Sequence, residues 1–290
     1  MNKIITIIVT YNGIRWIKQC LSSIVNSTIT SDIFIVDNGS TDGTIEFIQN
    51  NFRHAILYCS SENLGFGAAN NIGLKFALKE CYDFIYLLNQ DAWIKPDTFE
   101  TLIAASQRNP NFGIISPLQV NAIETMVDKN FYSSCSRELF SDSILDLPLR
   151  EVYSTDFVMA AHWLLTRNCL QTVGLFSPTF FHYGEDNNYV NRTIYHGLKV
   201  GIAPKAIGIH DREERAISLE KEDYLFYISH LNRLSNPNKN NTLSSTIAYY
   251  ISRIIGHGRV KCISYLIKTI SNLKKISNNK AISKNLGAFN

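Results

Sequence analysis

No apolar run in this 290-residue chain approaches the roughly 18 residues that span a bilayer. The six cysteines, at 20, 59, 81, 135, 169 and 262, are scattered without paired spacing. That excludes a disulfide-stapled scaffold and a zinc-finger pattern, and it suits a reducing cytoplasm. The first nine residues resemble the start of a signal sequence, but they run into Thr10-Tyr11-Asn12 with no small-residue cleavage site. They are read as a first strand instead. No internal repeat is visible. Acid is missing from the last part of the chain: after Asp223 there are ten Lys/Arg and no Asp/Glu. The preceding residues therefore carry 28 − 10 = 18 basic and 25 acidic side chains, a net of −7. An acidic body joined to a basic tail suggests two jobs in two places.

What is present suits a packed globular protein, with 45% hydrophobic and 11% aromatic residues. The organising stretch is Phe84 to Ile94. Five apolar residues, Phe84 to Leu88, predict a strand buried on both faces. It stops at Asn89-Gln90-Asp91. In an open α/β sheet, ligands gather at the carboxyl ends of strands, so Asp91 stands where a metal or phosphate would sit. The plainer alternative is a turn, or a cap for the helix beginning near Pro96.

Around that strand the chain alternates. Strands are predicted at 3–9, 33–36, 55–58 and 113–116, with helices at 14–26, after Ser40-Thr41, at 64–79 and from Pro96 to Asn109. Residues 117–155 lose the rhythm and read as an insertion near a site. Strand-like stretches follow at 157–159 and 163–166, then a short helix ending at Gly174. Residues 175–184 form an aromatic-rich loop, and Glu185-Asp186 opens a helix to His196. Short strands at 199–202 and 206–209 follow, the second delivering His210. The expected fold is an α/β domain, residues 1–223, built on a mainly parallel sheet flanked by helices. A basic helical tail, 224–290, is expected after it, with two helices across 243–276 broken at Gly256-His257-Gly258 and a polar, frayed end from 277.

Four strand ends would then share one crevice: Thr10-Tyr11-Asn12, Asp37-Asn38, Asn89-Gln90-Asp91 and His210. Glu185-Asp186 sits at a helix start between them. Each residue type suits one part of a nucleotide-sugar reaction. Tyr11 offers a ring face for a base, and Asp37 or Asn38 can bond its edge. Asp91 and His210 can hold a divalent cation, Mg²⁺ or Mn²⁺, with positions open for diphosphate oxygens. Asp186 can take the proton from an attacking acceptor hydroxyl, with adjacent Glu185 its competitor. A single in-line attack would invert the anomeric centre.

Several stretches, in order and spacing, resemble inverting family 2 glycosyltransferases of the GT-A fold. They are Ile8 to Asn12, Val36 to Gly43, Glu62 to Gly73, Leu87 to Asp91, Val173 to Asp186, and Gly197 through His210. The subgroup most similar contains rhamnosyl- and galactofuranosyl-type transferases of bacterial surface polysaccharides. The resemblance covers about residues 3–215. It implies base contacts at Thr10, Tyr11 and Asn38, and nucleotide contacts around Asn63, Gly65 and Asn70. It implies that Asp91 is the last carboxylate of an Asp-x-Asp metal motif, Asp186 the catalytic base and His210 the second metal ligand. This sequence departs from the pattern at Asn89, an amide that can bond a ribose but ligates metal poorly. It departs again at Asn188, where a second Asp is common, and at Ala160-Ala161-His162-Trp163, which lacks the family's glycine.

The resemblance points to a lipid-linked glycan acceptor and to dTDP-L-rhamnose as donor, with a UDP-sugar such as UDP-galactofuranose as the alternative. Trp163, His182 and Glu185 are candidate acceptor contacts, although aromatic residues here also suit packing. Arg212 can meet the diphosphate or pair with Glu213 or Glu214. Gly65-x-Gly67-x-x-Asn70 fails as a dinucleotide fingerprint and follows the third strand, which argues against an oxidoreductase. A non-catalytic sugar-nucleotide-binding module stays open on account of Asn89 and Asn188. A nucleotidyltransferase is disfavoured, because residues 10–15 are not a Gly-rich turn. The tail reads either as amphipathic helices lying on an anionic membrane, which would make the protein peripheral on the inner face of the bacterial inner membrane, or as a lid packed on the domain. No nucleic-acid motif accompanies its charge.

Overall fold

A computed structural model describes residues 2–212, 218–240 and 243–290. Among these, nine strands form one sheet: β1 (Ile4–Thr10), β2 (Asp32–Asp37), β3 (Ile56–Cys59), β4 (Phe84–Asn89), β5 (Ala92–Ile94), β6 (Phe112–Asn121), β7 (Tyr153–Ser154), β8 (His162–Thr166) and β9 (Lys199–His210). Their spatial order is β3-β2-β1-β4-β8-β6-β9-β5, with β7 also on β9. Strands β1 to β4, β6 and β9 point one way, while β8 runs against both its neighbours and β5 against β9. The sheet is thus mainly parallel, as the run of non-alternating apolar strands requires.

The helices are α1 (Ile14–Val25), α2 (Thr44–Asn51), α3 (Phe66–Lys79), α4 (Thr98–Arg108), α5 (Arg137–Ile144), α6 (Arg167–Val173), α7 (Glu185–Tyr195), α8 (Leu219–Ser235), α9 (Leu243–His257), α10 (Lys261–Ser271) and α11 (Leu273–Ile282). Strand β4 shows why they lie on both faces. Ile85 and Leu87 belong to one buried cluster with Ala69, Leu74, Leu170 and Tyr189 from α3, α6 and α7. Phe84, Tyr86 and Leu88 belong to another with Ile17, Leu21, Phe99 and Leu102 from α1 and α4. Helix α1 buries Ile17, Cys20, Leu21 and Ile24, the helical stripe seen in the sequence. Thr166 caps the start of α6 by accepting from the Cys169 N–H, and Gly174 closes its end.

Several expectations are corrected. The two short strands before His210 are one strand, β9, whose register against β6 shifts between Pro117 and Leu118. Residues 157–159 are not a strand. The stretch 117–155 holds the end of β6, a 3₁₀ turn at Tyr132–Ser134, α5 and β7. The boundary at 223 falls inside α8, which packs Tyr227, Ile228, Leu231 and Leu234 against Phe180 and Ile276. The tail therefore continues the fold. Three of its ten cations pair with α8: Arg253 and Arg259 with the buried Asp223, and Lys261 with Glu220 at the surface.

Residues 287–290 are not frayed. The Leu175 N–H donates to the Ala288 carbonyl and the Gly287 N–H to the Thr172 carbonyl, both at about 2.8–2.9 Å. The Phe289 ring lies 5.2 Å from the guanidinium of Arg192, which is fully buried. Among the described residues Arg192 pairs with no carboxylate; it donates to the Val173 and Leu175 carbonyls and the Asn188 amide oxygen. Burial lowers its pKa to about 10, so it stays charged at neutral pH. This seam dictates glycine at 174, which has φ +79° and ψ −150° and abuts the Ala288 backbone. Gly174→Ala should cost about 2 kcal/mol. Urea denaturation checks this, and an unchanged midpoint would refute the account of the seam.

Candidate active site

The site forms where β1, β2, β4 and β9 end on one edge of the sheet. After β4 the chain turns at Gln90-Asp91 and crosses to pair as β5 with the end of β9, setting Ala92 opposite His210. The crossing carries Asp91 to His210, whose Nε2 lies 3.4 Å from the Asp91 carboxylate. The Asp211 N–H donates to the Asp91 carbonyl at 2.8 Å and locks the pair. Burial pushes the Asp91 carboxyl up, but the His210 hydrogen bond and the fields of His210 and Arg212 outweigh it, holding Asp91 below the usual carboxylate range. The indole of Trp16, from α1, donates to the Asp211 carboxylate at 2.8 Å and closes one side.

Two protein ligands suit an ion shared with a diphosphate. Neighbouring ligands about 2.1 Å from one cation stand roughly 3 Å apart, close to the observed separation. Among the described residues no group of three or more His, Cys, Asp and Glu is placed to hold a metal. An ion here would therefore need oxygens from its substrate. Arg212 reaches Asp128 at 3.6 Å and the Met159 sulfur at 3.1 Å. Its alternative partners Glu213 and Glu214 lie outside the described residues.

The nucleotide side differs from expectation in detail. Tyr11 is 47% exposed and presents its ring at the edge. Thr10 is fully buried, and its hydroxyl donates to the Gln90 side-chain oxygen at 2.7 Å. Asp37 is fully buried as well; its carboxylate accepts from the Gly39 and Ser40 N–H groups and the Ser40 hydroxyl, which makes it the turn. Asn70 is 1% exposed and donates to the Phe66 carbonyl inside α3, so the contact expected of it is also corrected. The Asn12 side chain accepts from the Thr41 N–H, that of Asn38 from Leu64, and that of Asn63 from Gly65. These three shape the loops around Tyr11. Gly65 has φ +79° and backs directly onto the Phe181 carbonyl. The Asn89 N–H donates to the Ala161 carbonyl at 3.1 Å.

Asp186, in the first turn of α7, lines a cavity of about 490 Å³ with Asn187, Asn191, Ser229, Asn232 and Arg233. The Ala160 backbone faces its carboxylate, one residue from the Ala161 that bonds Asn89. Asp186 and the Asp91–His210 pair thus flank the same few residues at the start of β8. Burial raises the Asp186 carboxyl, opposed by hydrogen bonds from Asn187. Glu185 points elsewhere: it is 7% exposed, one of its oxygens has no partner, and burial plus the neighbouring Asp186 charge push it up to about 7. Glu185 is too enclosed for the acceptor contact expected of it. Trp163 is corrected too, being fully buried between Phe176 and Tyr189 with its N–H on the Val158 carbonyl. His182 remains exposed, with its pKa lowered by partial burial and by Lys221.

Gln90 has a role that sequence reasoning misses. Its oxygen accepts from Thr10 and the Tyr11 N–H while its amide donates to the Tyr11 carbonyl, stapling the β4–β5 turn to the end of β1. Its place inside Asn89-Gln90-Asp91 is the only signal of this in the sequence. Asn188 also gains a reason. Its amide donates to Ser235 of α8 while its oxygen accepts from Arg192, two bonds that an ionised Asp could not both make.

A mainly parallel sheet flanked by helices, with an antiparallel β8, is the GT-A arrangement. Solved structures agree on the fold. Staphylococcus aureus TarS 1–349 in complex with UDP superposes with a TM-score of 0.58 at 14% identity, over 88% of this chain and 72% of that one. GalNAc-T7 with UDP, GalNAc and Mn²⁺ does so at 0.61 and 13%, over 82% and 52%. Residues 5–148 match the model of glycosyl transferase family 2. "Glycosyltransferase GlyA" of Streptococcus pneumoniae serotype 4 is 26% identical over 202 residues, 67% of this chain. The chain spans 28% of that relative's length.

The two acids of α7 predict a pH effect. The folded protein keeps the Glu185 proton until about pH 7, whereas the unfolded chain releases it near the ordinary 4.5. Stability is therefore present below the ordinary value and lost as pH rises through about 7. Glu185→Gln should melt higher than the parent at pH 8 and close to it at pH 4.5. Equal melting temperatures at both pH values would overturn this.

Proposed function

We propose that this chain is a metal-dependent inverting glycosyltransferase, moving one sugar from a nucleotide diphosphate to a glycan hydroxyl. The observation that carries the reading is the Asp91–His210 pair, 3.4 Å apart, with Asp186 across the start of β8 in an open cavity. Asp91 and His210 would hold Mg²⁺ or Mn²⁺, which when bound neutralises charge on a leaving diphosphate. The Mn²⁺ in the GalNAc-T7 structure is in keeping with that. Tyr11 would stack on the base and Asn89 bond the ribose. Asp186, held by Asn187, accepts the acceptor hydroxyl's proton as its oxygen attacks. Its raised pKa means that rate falls as pH drops through a value above the usual carboxylate range. The amide-rich cavity between α7 and α8 seats the acceptor sugar, with His182 at its approach.

The donor is a pyrimidine nucleoside diphosphate sugar. Resemblance favours dTDP-L-rhamnose, whereas the UDP in the TarS complex favours a UDP-sugar. Calorimetry with both, in Mn²⁺, separates them. Asp91→Asn and Asp186→Asn should each cut turnover at least about 100-fold. Only the first should weaken donor binding through the metal. Full activity in both variants would sink the assignment.

The acceptor is lipid-linked and the protein rests on an anionic membrane through α9 and α10, within residues 243–276. No helix among the described residues is long and apolar enough to cross a membrane. Support for surface contact comes from Ile255, Val260, Ile263, Ile267 and Ile270, which are 43–78% exposed. Because Arg253, Arg259 and Lys261 pair with acids of α8, apolar insertion carries more of the contact than charge. Replacing Ile263, Ile267 and Ile270, one face of α10, with Asp should abolish flotation with anionic vesicles. Undiminished flotation would refute this seat.

A further inference from the structure

The sheet has a seam. Strands β3, β2, β1, β4 and β8 form one half, and β6, β9 and β5 the other. Across the seam, β8 and β6 pair only at Ile114–Leu165 and Ile115–Leu164. Beyond Ile115 the β6–β8 ladder has ended, while β6 stays paired with β9 to Asn121–His210, with a register shift between Pro117 and Leu118. The Asp91–His210 pair straddles this seam, since Asp91 follows β4 and His210 ends β9.

One side chain closes the gap. His162, the first residue of β8, is fully buried. Its Nδ1 lies 2.8 Å from the Tyr86 hydroxyl of β4, and its Nε2 lies 3.0 Å from the Ile209 carbonyl of β9. A carbonyl only accepts, so Nε2 carries the proton and donates to it. Nδ1 is then the acceptor for the Tyr86 hydroxyl. Burial drives the imidazole pKa down to about 3, so this neutral tautomer holds throughout the physiological range. Gly208 leaves room for the ring: a Cβ there would stand 2.9 Å from the imidazole and from Pro117.

We propose that His162 is a positioning residue which, by bridging Tyr86 on β4 to the carbonyl preceding His210 on β9, sets the separation of the Asp91–His210 pair. This rests on the metal reading above for its purpose, but not for its geometry. The imidazole spans β4 to β9 beyond the point where the two-pair β6–β8 ladder ends. It belongs to neither the donor nor the acceptor surface, which is why a histidine serves here without touching substrate.

The experiment uses the full chain and three variants. His162→Phe keeps the ring volume and removes both bonds. His162→Gln keeps a donor for Ile209. Gly208→Ala pushes on the ring with His162 intact. In metal-free protein, His162→Phe and Gly208→Ala should speed amide exchange at β5 and at residues 208–211 while β1, β2 and β3 stay protected. Exchange unchanged at the β5–β9 edge, or raised evenly through the sheet, would overturn the proposal. Mn²⁺ titrated by electron paramagnetic resonance should bind His162→Phe about 10- to 100-fold more weakly than the parent, with His162→Gln recovering most of it. Wild-type Mn²⁺ affinity in a folded His162→Phe would also overturn it. A parent protein that binds no Mn²⁺ would sink the metal reading instead, leaving the exchange result to decide the bridge.

Discussion

The structure depends on a strand of three residues. β5 leaves the end of β4, runs against β9 and brings an acid from one half of the sheet to an imidazole from the other. Without that antiparallel pairing the two would sit on strands separated by β8 and β6. The surrounding loops then have one common task, to hold the crossing still. Gln90 ties it to β1, Asp211 returns a backbone bond to it, and Trp16 of α1 anchors Asp211. The buried strands supply rigidity, because groups placed on packed elements keep their geometry better than groups on free loops.

Much of this is legible in the residues. Apolar runs that do not alternate mean strands covered on both faces, and β1, β2 and β4 are so covered. The positions of Asp91, Asp186 and His210 at element ends follow from the same pattern. On the nucleotide side, expectation and structure part for one reason. A polar residue at a strand end can face the ligand or fasten the loop, and composition does not say which. Asp37 and Thr10 fasten loops, whereas Tyr11 faces out. β5 is too short to leave a periodic signal, and β9 looks like two strands in the sequence because Pro204-Lys205 interrupts an otherwise continuous one.

In the tail, charge misleads. Ten cations without an acid suggest a separate surface, yet three of them, Arg253, Arg259 and Lys261, find acids just upstream on α8. Net charge of a segment says nothing about neighbours contributed by another segment. The last residues of the tail are held by backbone bonds to Thr172 and Leu175 and by the ring of Phe289 against Arg192. The loop that carries the candidate acceptor residues therefore leans on the tail, and so does α7.

Where Gly65 meets Phe181, main chain presses on main chain with no side chain between to yield. Gly65 precedes α3, and Phe181 lies in the loop before α7. A side chain at 65 would drive the two loops apart, so this glycine fixes how closely residues 63–65 and 180–182 can lie.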